Sequence, residues 1–147
     1  MNTPEDIART ASVHWEGDIA RGKGTIKAES GKVTADYSFG TRFSNDPGTN
    51  PEELLAASHA ACFTMALSLA LTRSGHPPKA VDTQAKVHLH RAGAGYEISR
   101  IELTTTVEAP GLDQAAFEPL AAEAKNGCPI SKALKAVEIT LAATLKA

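Results

Sequence analysis

The stretch NPEELLAASHAACFTMALSLAL, residues 50–71, decides the fold of this chain, and it predicts one long helix. Pro51 suits the first helical position, where its missing N–H costs no hydrogen bond. Glu52 and Glu53 follow in the first turn, where the helix dipole favours negative charge. From Leu54 onward the sequence is apolar on every side of a helix. We therefore expect a central helix that is buried all round.

The bulk composition is that of one globular domain, and we expect a single domain over residues 1–147. A net charge of -2 and an aromatic share of 5% argue against nucleic acid or an anionic membrane as a partner. The long helix could span a bilayer by length, but it carries His59 and several hydroxyl groups, so we read it as a buried helix. No basic, apolar leader opens the sequence, and we expect a cytoplasmic protein.

The remaining sequence has no βαβ rhythm and no internal repeat, and it predicts an α+β fold with largely antiparallel sheet. A polar loop over residues 40–49 separates an opening three-strand antiparallel meander from the long helix, which ends near residue 74. A helix apolar on every face is hard to cover within one such chain, which suggests a dimer in which two of these helices pair. The predicted strands are 13–19, 24–29, 33–39, 80–90, 96–108 and 137–145, and the later helices run from Asp113 to 127 and from Cys128 to 134.

Two cysteines, Cys62 and Cys128, carry the candidate chemistry, and they form no C-x-x-C motif. A mid-helix Cys62 is compatible with a small buried hydrophobic residue. Cys128 precedes Pro129 at a helix start, where backbone N–H groups and the helix dipole lower a thiol pKa. Position alone thus makes Cys128 the more acidic thiol, while Cys62 needs an outside cation to ionise.

Arg42, in the loop before the long helix, is the best candidate for that cation. Either Glu52 or Glu53 could orient its guanidinium by a bidentate ion pair and leave other donors for a thiolate. The simpler interpretation is a solvated loop arginine and two glutamates that only complement the helix dipole. Sequence alone leaves both interpretations open.

A metal site is a further interpretation of the cysteines. His59 lies three residues before Cys62 and therefore on the same side of the helix. His59, Cys62 and Cys128 would supply suitable donors, but their spacing matches no zinc-binding signature. We expect no bound metal.

Several short motifs are spread along nearly the whole chain. They are HWEGD at 14–18, RGKG at 21–24, TRF at 41–43, NPEEL at 50–54, HAAC at 59–62 and GCPIS at 127–131. Together these motifs resemble those of the OsmC/Ohr family, the osmotically inducible and organic hydroperoxide resistance proteins. The position of the arginine, just before the long helix, is similar to that in the OsmC branch, since in the Ohr branch the arginine lies much nearer the N-terminus.

The resemblance implies an intertwined homodimer with antiparallel sheets around the long helix, and a thiol peroxidase without a cofactor. It implies that Cys62 is the peroxidatic and Cys128 the resolving cysteine. Arg42 would stabilise the Cys62 thiolate, with Glu52 holding the arginine, which reverses the acidity order given by position alone. The substrate would be an organic hydroperoxide, which apolar neighbours such as Phe63 and Met65 favour, and the reductant a dithiol of lipoyl type.

Two other functions are compatible with parts of the sequence. Cys128-Pro129-Ile130-Ser131 has the C-P-x-S pattern of a glutaredoxin-like thiol-disulfide oxidoreductase, although such a motif belongs near the start of a thioredoxin fold. A non-enzymatic dimeric binding or stress protein with incidental thiols is the second alternative. Loss of thiols on exposure to a hydroperoxide distinguishes both from a peroxidase.

Overall fold

The structure is a computed structural model that describes residues 3–146. These residues form two compact units, one that ends at Pro51 and one that begins at Glu52. The prediction of a single domain over residues 1–147 extends beyond the described residues at both ends, and it stays a prediction.

The first unit is built on a three-stranded antiparallel sheet in the order β1-β2-β3, as the sequence predicts. Its strands are β1 (Ala11–Glu16), β2 (Lys23–Ala28) and β3 (Thr34–Tyr37). The rings of Trp15 and Tyr37 meet edge to face across β2, with centroids 5.5 Å apart. Both rings occupy the space that a Cβ at position 24 would fill, so Gly24 is required there.

A short helix, α1 (Phe39–Phe43), follows β3 where the sequence analysis predicts a loop over residues 40–49. That prediction is wrong at its start because Ser38 and Thr41 cap each other. The Ser38 N–H donates to Thr41 Oγ1 at 2.8 Å, and the Thr41 N–H donates to Ser38 Oγ at 3.3 Å. A threonine takes the place of the usual glutamate in this capping box, so the pattern is easily missed. The helix places Arg42 in its last turn.

The second unit contains a three-stranded sheet in the order β4-β5-β6. Strands β4 (Ala80–Ala92) and β5 (Gly95–Glu108) pair antiparallel, as predicted. Strand β6 (Glu138–Leu145) pairs parallel to β5, while the other three strand pairings of the described residues are antiparallel, so the sheets are largely antiparallel, as predicted. The parallel pairing arises because two helices intervene between β5 and β6, and such a crossover returns the chain to the same direction.

Three helices belong largely or wholly to this unit: α2 (Pro51–Arg73), α3 (Gln114–Gly127) and α4 (Pro129–Ala133). Their bounds match the predicted helices closely. Asp113 caps α3 as expected, since its carboxylate accepts the Ala116 N–H at 2.8 Å. The α+β fold class is thereby confirmed.

The inner side of α2 packs into the core of the second unit. Its fully buried residues recur every four positions and therefore lie on one side of the helix. They join a cluster with the inner side of β5 and with α3, and burial of this apolar surface holds the unit together. The α2 members are Phe63, Leu67 and Leu71, and the principal partners are Leu103, Val107, Phe117 and Ala121.

The opposite side of α2 is open to solvent in the single chain, so the prediction of a helix buried all round is wrong for one chain. Met65 is 76% exposed and Leu69 51% exposed. Together with Ala57 and Ala61 they form an apolar strip, which we call the outer stripe of α2. The cause is geometric, because one sheet and its crossover helices cover only one side of a helix. By length and composition α2 would also suffice to cross a membrane, but its inner side contributes to a protein core.

Candidate active site

The two cysteines, remote in sequence, come together inside the second unit. Cys62 lies in the middle of α2 and is partly buried, and Cys128 at the start of α4 is fully buried. Both are free thiols, and they lie close enough for each to shift the pKa of the other. The structure therefore juxtaposes the two thiols that the resemblance pairs.

Cys128 is held by its role as the N-cap of α4. Its sulfur accepts the Ser131 N–H at 3.4 Å, which is the bond a capping serine or aspartate normally makes. Pro129 occupies the first position of the helix, where its missing N–H is harmless. This local sequence fixes the direction of the thiol toward α2.

The environments of the two thiols shift their pKa values in opposite directions. Burial would raise the pKa of Cys128, but hydrogen bonds from the Ser131 hydroxyl and N–H outweigh it, and the net shift is downward. Burial raises the pKa of Cys62, a bond from the Ile130 N–H offsets part of this, and the neighbouring Cys128 raises it further. Within the second unit Cys128 is thus the more acidic thiol, which is the order that position alone predicts.

A histidine and a serine complete the buried polar group around Cys128. Nε2 of His59 lies 2.7 Å from Oγ of Ser131, and the Cys128 thiol donates to the same oxygen at 3.5 Å. Nδ1 of His59 is buried and has no hydrogen-bond partner among residues 3–146. From the sequence, His59 is considered only as a metal ligand, and Ser131 has no role beyond its place in the C-P-x-S pattern. That spacing puts the serine one turn into a helix capped by the cysteine, which is the signal for its contact with Cys128.

The metal interpretation gains no support from the geometry. In the part of the chain that the structure describes, no three His, Cys, Asp or Glu side chains converge as ligands. His59 instead directs Nε2 at a serine hydroxyl.

The two glutamates lie where the sequence places them, whereas Arg42, predicted in a loop, lies in a short helix. Arg42 belongs to α1 in the first unit, where its guanidinium carbon lies 5.4 Å from the centroid of the Phe43 ring. Glu52, half-buried, and Glu53, exposed, occupy the first turn of α2. Roughly 15 Å of helical rise separates Glu52 from Cys62. The action of Arg42 on Cys62, and its pairing with Glu52 or Glu53, stay predictions.

An apolar cleft of about 360 Å³ lies between α2 and α3, next to the side of α2 that carries Cys62. Ala66 begins its wall one helical turn after Cys62. The other apolar wall residues are Leu69, Ala70, Leu120 and Ala124, and Arg73 and Glu123 stand at its polar edge. Phe63, predicted to border the substrate, is instead fully buried in the core.

Two adjacent free thiols, one on the core helix α2 and one at the N-cap of α4, thus lie within an α+β fold. The profile of the family described as OsmC-like protein matches residues 43–142, and the chain belongs to that family. It is 50% identical to peroxiredoxin OsmC of Escherichia coli K12 over 141 residues, covering 95% of this chain and 98% of that protein.

More distant relatives belong to the same group of proteins. The chain is 31% identical to an organic hydroperoxide resistance protein of Xanthomonas axonopodis, covering 96% of this chain and 98% of that protein. The crystal structure of such a protein from Elizabethkingia anophelis superposes with a TM-score of 0.76 at 25% identity, covering 97% and 100% of the two chains. The higher identity to peroxiredoxin OsmC agrees with the OsmC branch, and the protein is a peroxidase.

Proposed function

We propose that this protein reduces organic hydroperoxides to alcohols through a sulfenic acid at Cys62 and a disulfide between Cys62 and Cys128. The observation that carries the proposal is the juxtaposition of two free thiols of unequal exposure. Cys62 is partly accessible, whereas Cys128 is 0% exposed. A hydroperoxide therefore meets Cys62 first, even though Cys128 is the more acidic thiol within its unit.

In the first step the Cys62 thiolate attacks one peroxide oxygen and the O–O bond breaks. The departing alkoxide takes a proton and leaves as the alcohol, and Cys62 becomes a sulfenic acid. Because burial and Cys128 raise the pKa of Cys62, this step requires an outside cation, and we assign that role to Arg42 with Glu52 orienting it.

In the second step the Cys128 sulfur attacks the Cys62 sulfur, the S–O bond breaks and water is released. An external dithiol, for which we propose a lipoyl-type compound, then restores both thiols by exchange. It attacks the more accessible Cys62 sulfur and releases Cys128. Its second thiol then attacks the mixed disulfide and releases Cys62. Neither step needs a metal or cofactor.

The cleft whose wall begins at Ala66, one helical turn after Cys62, supports an organic substrate over hydrogen peroxide, since it offers an alkyl group a surface to bury. The relatives named for organic hydroperoxide resistance are consistent with this class.

We also propose a homodimer in the cytoplasm. The outer stripe of α2 is apolar, exposed and continuous, which suits pairing with the same stripe of a second copy. Two free, closely spaced thiols suit a reducing compartment. The small net charge supports neither nucleic acid nor anionic membrane as a partner.

The test is a titration of free thiols before and after one equivalent of cumene hydroperoxide. We expect two thiols lost per chain, one equivalent of cumyl alcohol, and a Cys62–Cys128 disulfide in the peptide map. A Cys62→Ser variant should lose none. Unchanged thiols in the parent protein would refute the peroxidase mechanism.

A glutaredoxin-like activity is the alternative that this experiment also addresses. Here Cys128 lies between β5 and β6 of an OsmC-like fold, far from the first strand where that motif functions. Turnover of a glutathione mixed disulfide by a Cys62→Ser variant would support that alternative.

A further inference from the structure

Three buried side chains of the second unit form an unbroken hydrogen-bonded line. It runs from Sγ of Cys128 to Oγ of Ser131 over 3.5 Å, and from that oxygen to Nε2 of His59 over 2.7 Å. His59 and Cys128 are 0% exposed and Ser131 is 5% exposed. Water therefore has little direct access to the Cys128 proton, and the hydrogen-bonded line offers that proton a route to His59.

The direction of the hydrogen bonds is tied to the tautomer of His59, that is, to which ring nitrogen carries the proton. A serine hydroxyl has one proton to donate. In the arrangement that proton transfer requires, the Cys128 thiol donates to Ser131 and the serine hydroxyl donates in turn to Nε2 of His59, which acts as an acceptor. The neutral ring carries its own proton on Nδ1, the atom without a partner among residues 3–146.

Such an orphaned buried nitrogen costs stability, so its retention calls for an explanation. If the imidazole ring served only for packing, an apolar side chain would fill the same space without the orphaned nitrogen. If Nε2 accepts a proton during the reaction, an apolar side chain cannot replace the histidine.

We propose that Ser131 conveys the proton of Cys128 to His59 when Cys128 attacks the sulfenic acid of Cys62, which makes His59 a positioning residue for disulfide formation. The inference rests on the proposed peroxidase cycle. Burial lowers the pKa of His59, which keeps the ring neutral and able to accept.

The step balances without another reactant. Cys128 gives up its proton through Ser131, and its sulfur forms the S–S bond as the S–O bond of Cys62 breaks. The departing hydroxide takes up the proton that His59 holds, returned through Ser131, and leaves as water, so that His59 is neutral again for the next cycle. Sulfenic acid and thiol thus become disulfide and water.

The experiment separates the two chemical steps by stopped-flow fluorescence and rapid-quench thiol analysis with cumene hydroperoxide. In Ser131→Ala we expect Cys62 oxidation within twofold of the parent, while disulfide formation slows about 100-fold, the usual contribution of a positioned proton acceptor. Over-oxidised Cys62 should accumulate. Ser131→Thr, which retains the hydroxyl, should restore most of the rate.

His59→Gln distinguishes proton transfer from mere support. The glutamine amide can still hydrogen-bond Ser131 but cannot take up a proton. Slow disulfide formation in this variant supports the proposal, and a rate within twofold of the parent overturns it. Thr64→Val is the matched control, since it removes another hydroxyl bond of α2, to Thr83 at 2.8 Å, away from the cysteines. Equal slowing in that control also overturns the proposal.

A second measurement does not depend on peroxide chemistry. In a Cys62→Ser background, the ultraviolet absorbance of the Cys128 thiolate is followed against pH. Ser131→Ala should move the midpoint upward, because the thiolate loses the hydroxyl donor. An unchanged midpoint would refute the role of Ser131 even if the peroxidase cycle is correct. Absence of thiol loss in the parent protein would instead refute the cycle and leave this result standing.

Discussion

Oγ1 of Thr64 donates a hydrogen bond to Oγ1 of Thr83 at 2.8 Å and so ties helix α2 to strand β4. The chain of hydroxyls continues from Thr83 to Thr105 at 3.0 Å and ends at the Asp82 carbonyl at 3.1 Å. Each hydroxyl therefore has an acceptor in the interior of the unit. This ladder joins α2 to β4 and β5 through three threonine side chains.

The first prediction concerns this ladder. In Thr64→Val the shape is retained and Thr83 keeps its bond to Thr105, so no buried donor is orphaned. We expect the free energy of unfolding to fall by about 1 kcal/mol. Urea unfolding measures it, and peroxidase rates should stay within twofold because Phe63 and Leu67 still hold the helix in the core. A loss several times larger would show that the ladder, and not the core, determines the helix position.

A second prediction concerns the pH dependence of stability. Burial depresses the pKa of folded His59 below its ordinary value of 6.5. Below that value the unfolded chain binds more protons than the folded one, so stability falls as pH drops from 6.5 toward the folded pKa. Above 6.5 both states are neutral at this residue and the contribution is flat.

Urea midpoints at about pH 7 and about pH 5 test this. The parent protein should lose more stability over the interval than His59→Gln, which cannot titrate. Equal losses in the two proteins would contradict a buried neutral histidine.

The third prediction separates the two cysteines. Cys62→Ser should abolish hydroperoxide consumption, since the accessible thiol is gone. Cys128→Ser should permit one turnover and leave Cys62 open to sulfinic acid formation. Mass spectrometry after graded peroxide detects a gain of two oxygens on Cys62. If Cys128→Ser fails at the first turnover while Cys62→Ser still consumes peroxide, the assigned roles are reversed.

The fourth prediction concerns Arg42. A point-charge lysine lacks the planar fork that can meet a carboxylate and a thiolate together. Arg42→Lys should slow the reaction of Cys62 with cumene hydroperoxide by about tenfold or more, corresponding to at least one unit in the thiol pKa.

Arg21→Lys, at an exposed turn of the same unit, is the control and should leave the rate unchanged. The same comparison of Glu52→Gln with Glu53→Gln identifies the carboxylate that orients the arginine. An unchanged rate in Arg42→Lys would contradict the proposal that Arg42 stabilises the Cys62 thiolate.

The fifth prediction concerns assembly through the outer stripe of α2. Met65→Glu places a charge in the middle of the stripe, and burial of an unpaired carboxylate against its twin is costly. We expect a monomer by sedimentation velocity where the parent sediments as a dimer. Ala142→Glu, a similar change on the exposed side of β6, should leave the dimer intact. A dimeric Met65→Glu would place the interface elsewhere.

Local signals predicted most of the secondary structure. Proline and acidic residues define the start of α2, Asp113 caps α3, and alternating apolar residues define β4, β5 and β6. The α1 helix was missed because a threonine replaces glutamate in its capping box. The parallel pairing of β6 was missed because strand direction depends on the crossover and not on the alternation within the strand.

The candidate site was predictable in part. Cys62, Cys128, Arg42 and Glu52 follow from motifs of the family. Ser131 does not, because a serine one turn into a helix is more often a local capping residue. Its partner His59 is 72 positions earlier in the chain, and no local pattern encodes a contact over that separation.

The sequence by itself determined the helices, their caps, the family and the two thiols, because each depends on residues within one or two turns of one another. Only the tertiary structure decided that the thiols meet, that Cys128 is the more buried, and that His59 reaches it through Ser131. Those properties depend on how α2 and α4 pack in the second unit. Burial and hydrogen-bond geometry, which shift pKa values and direct protons, exist only after that packing.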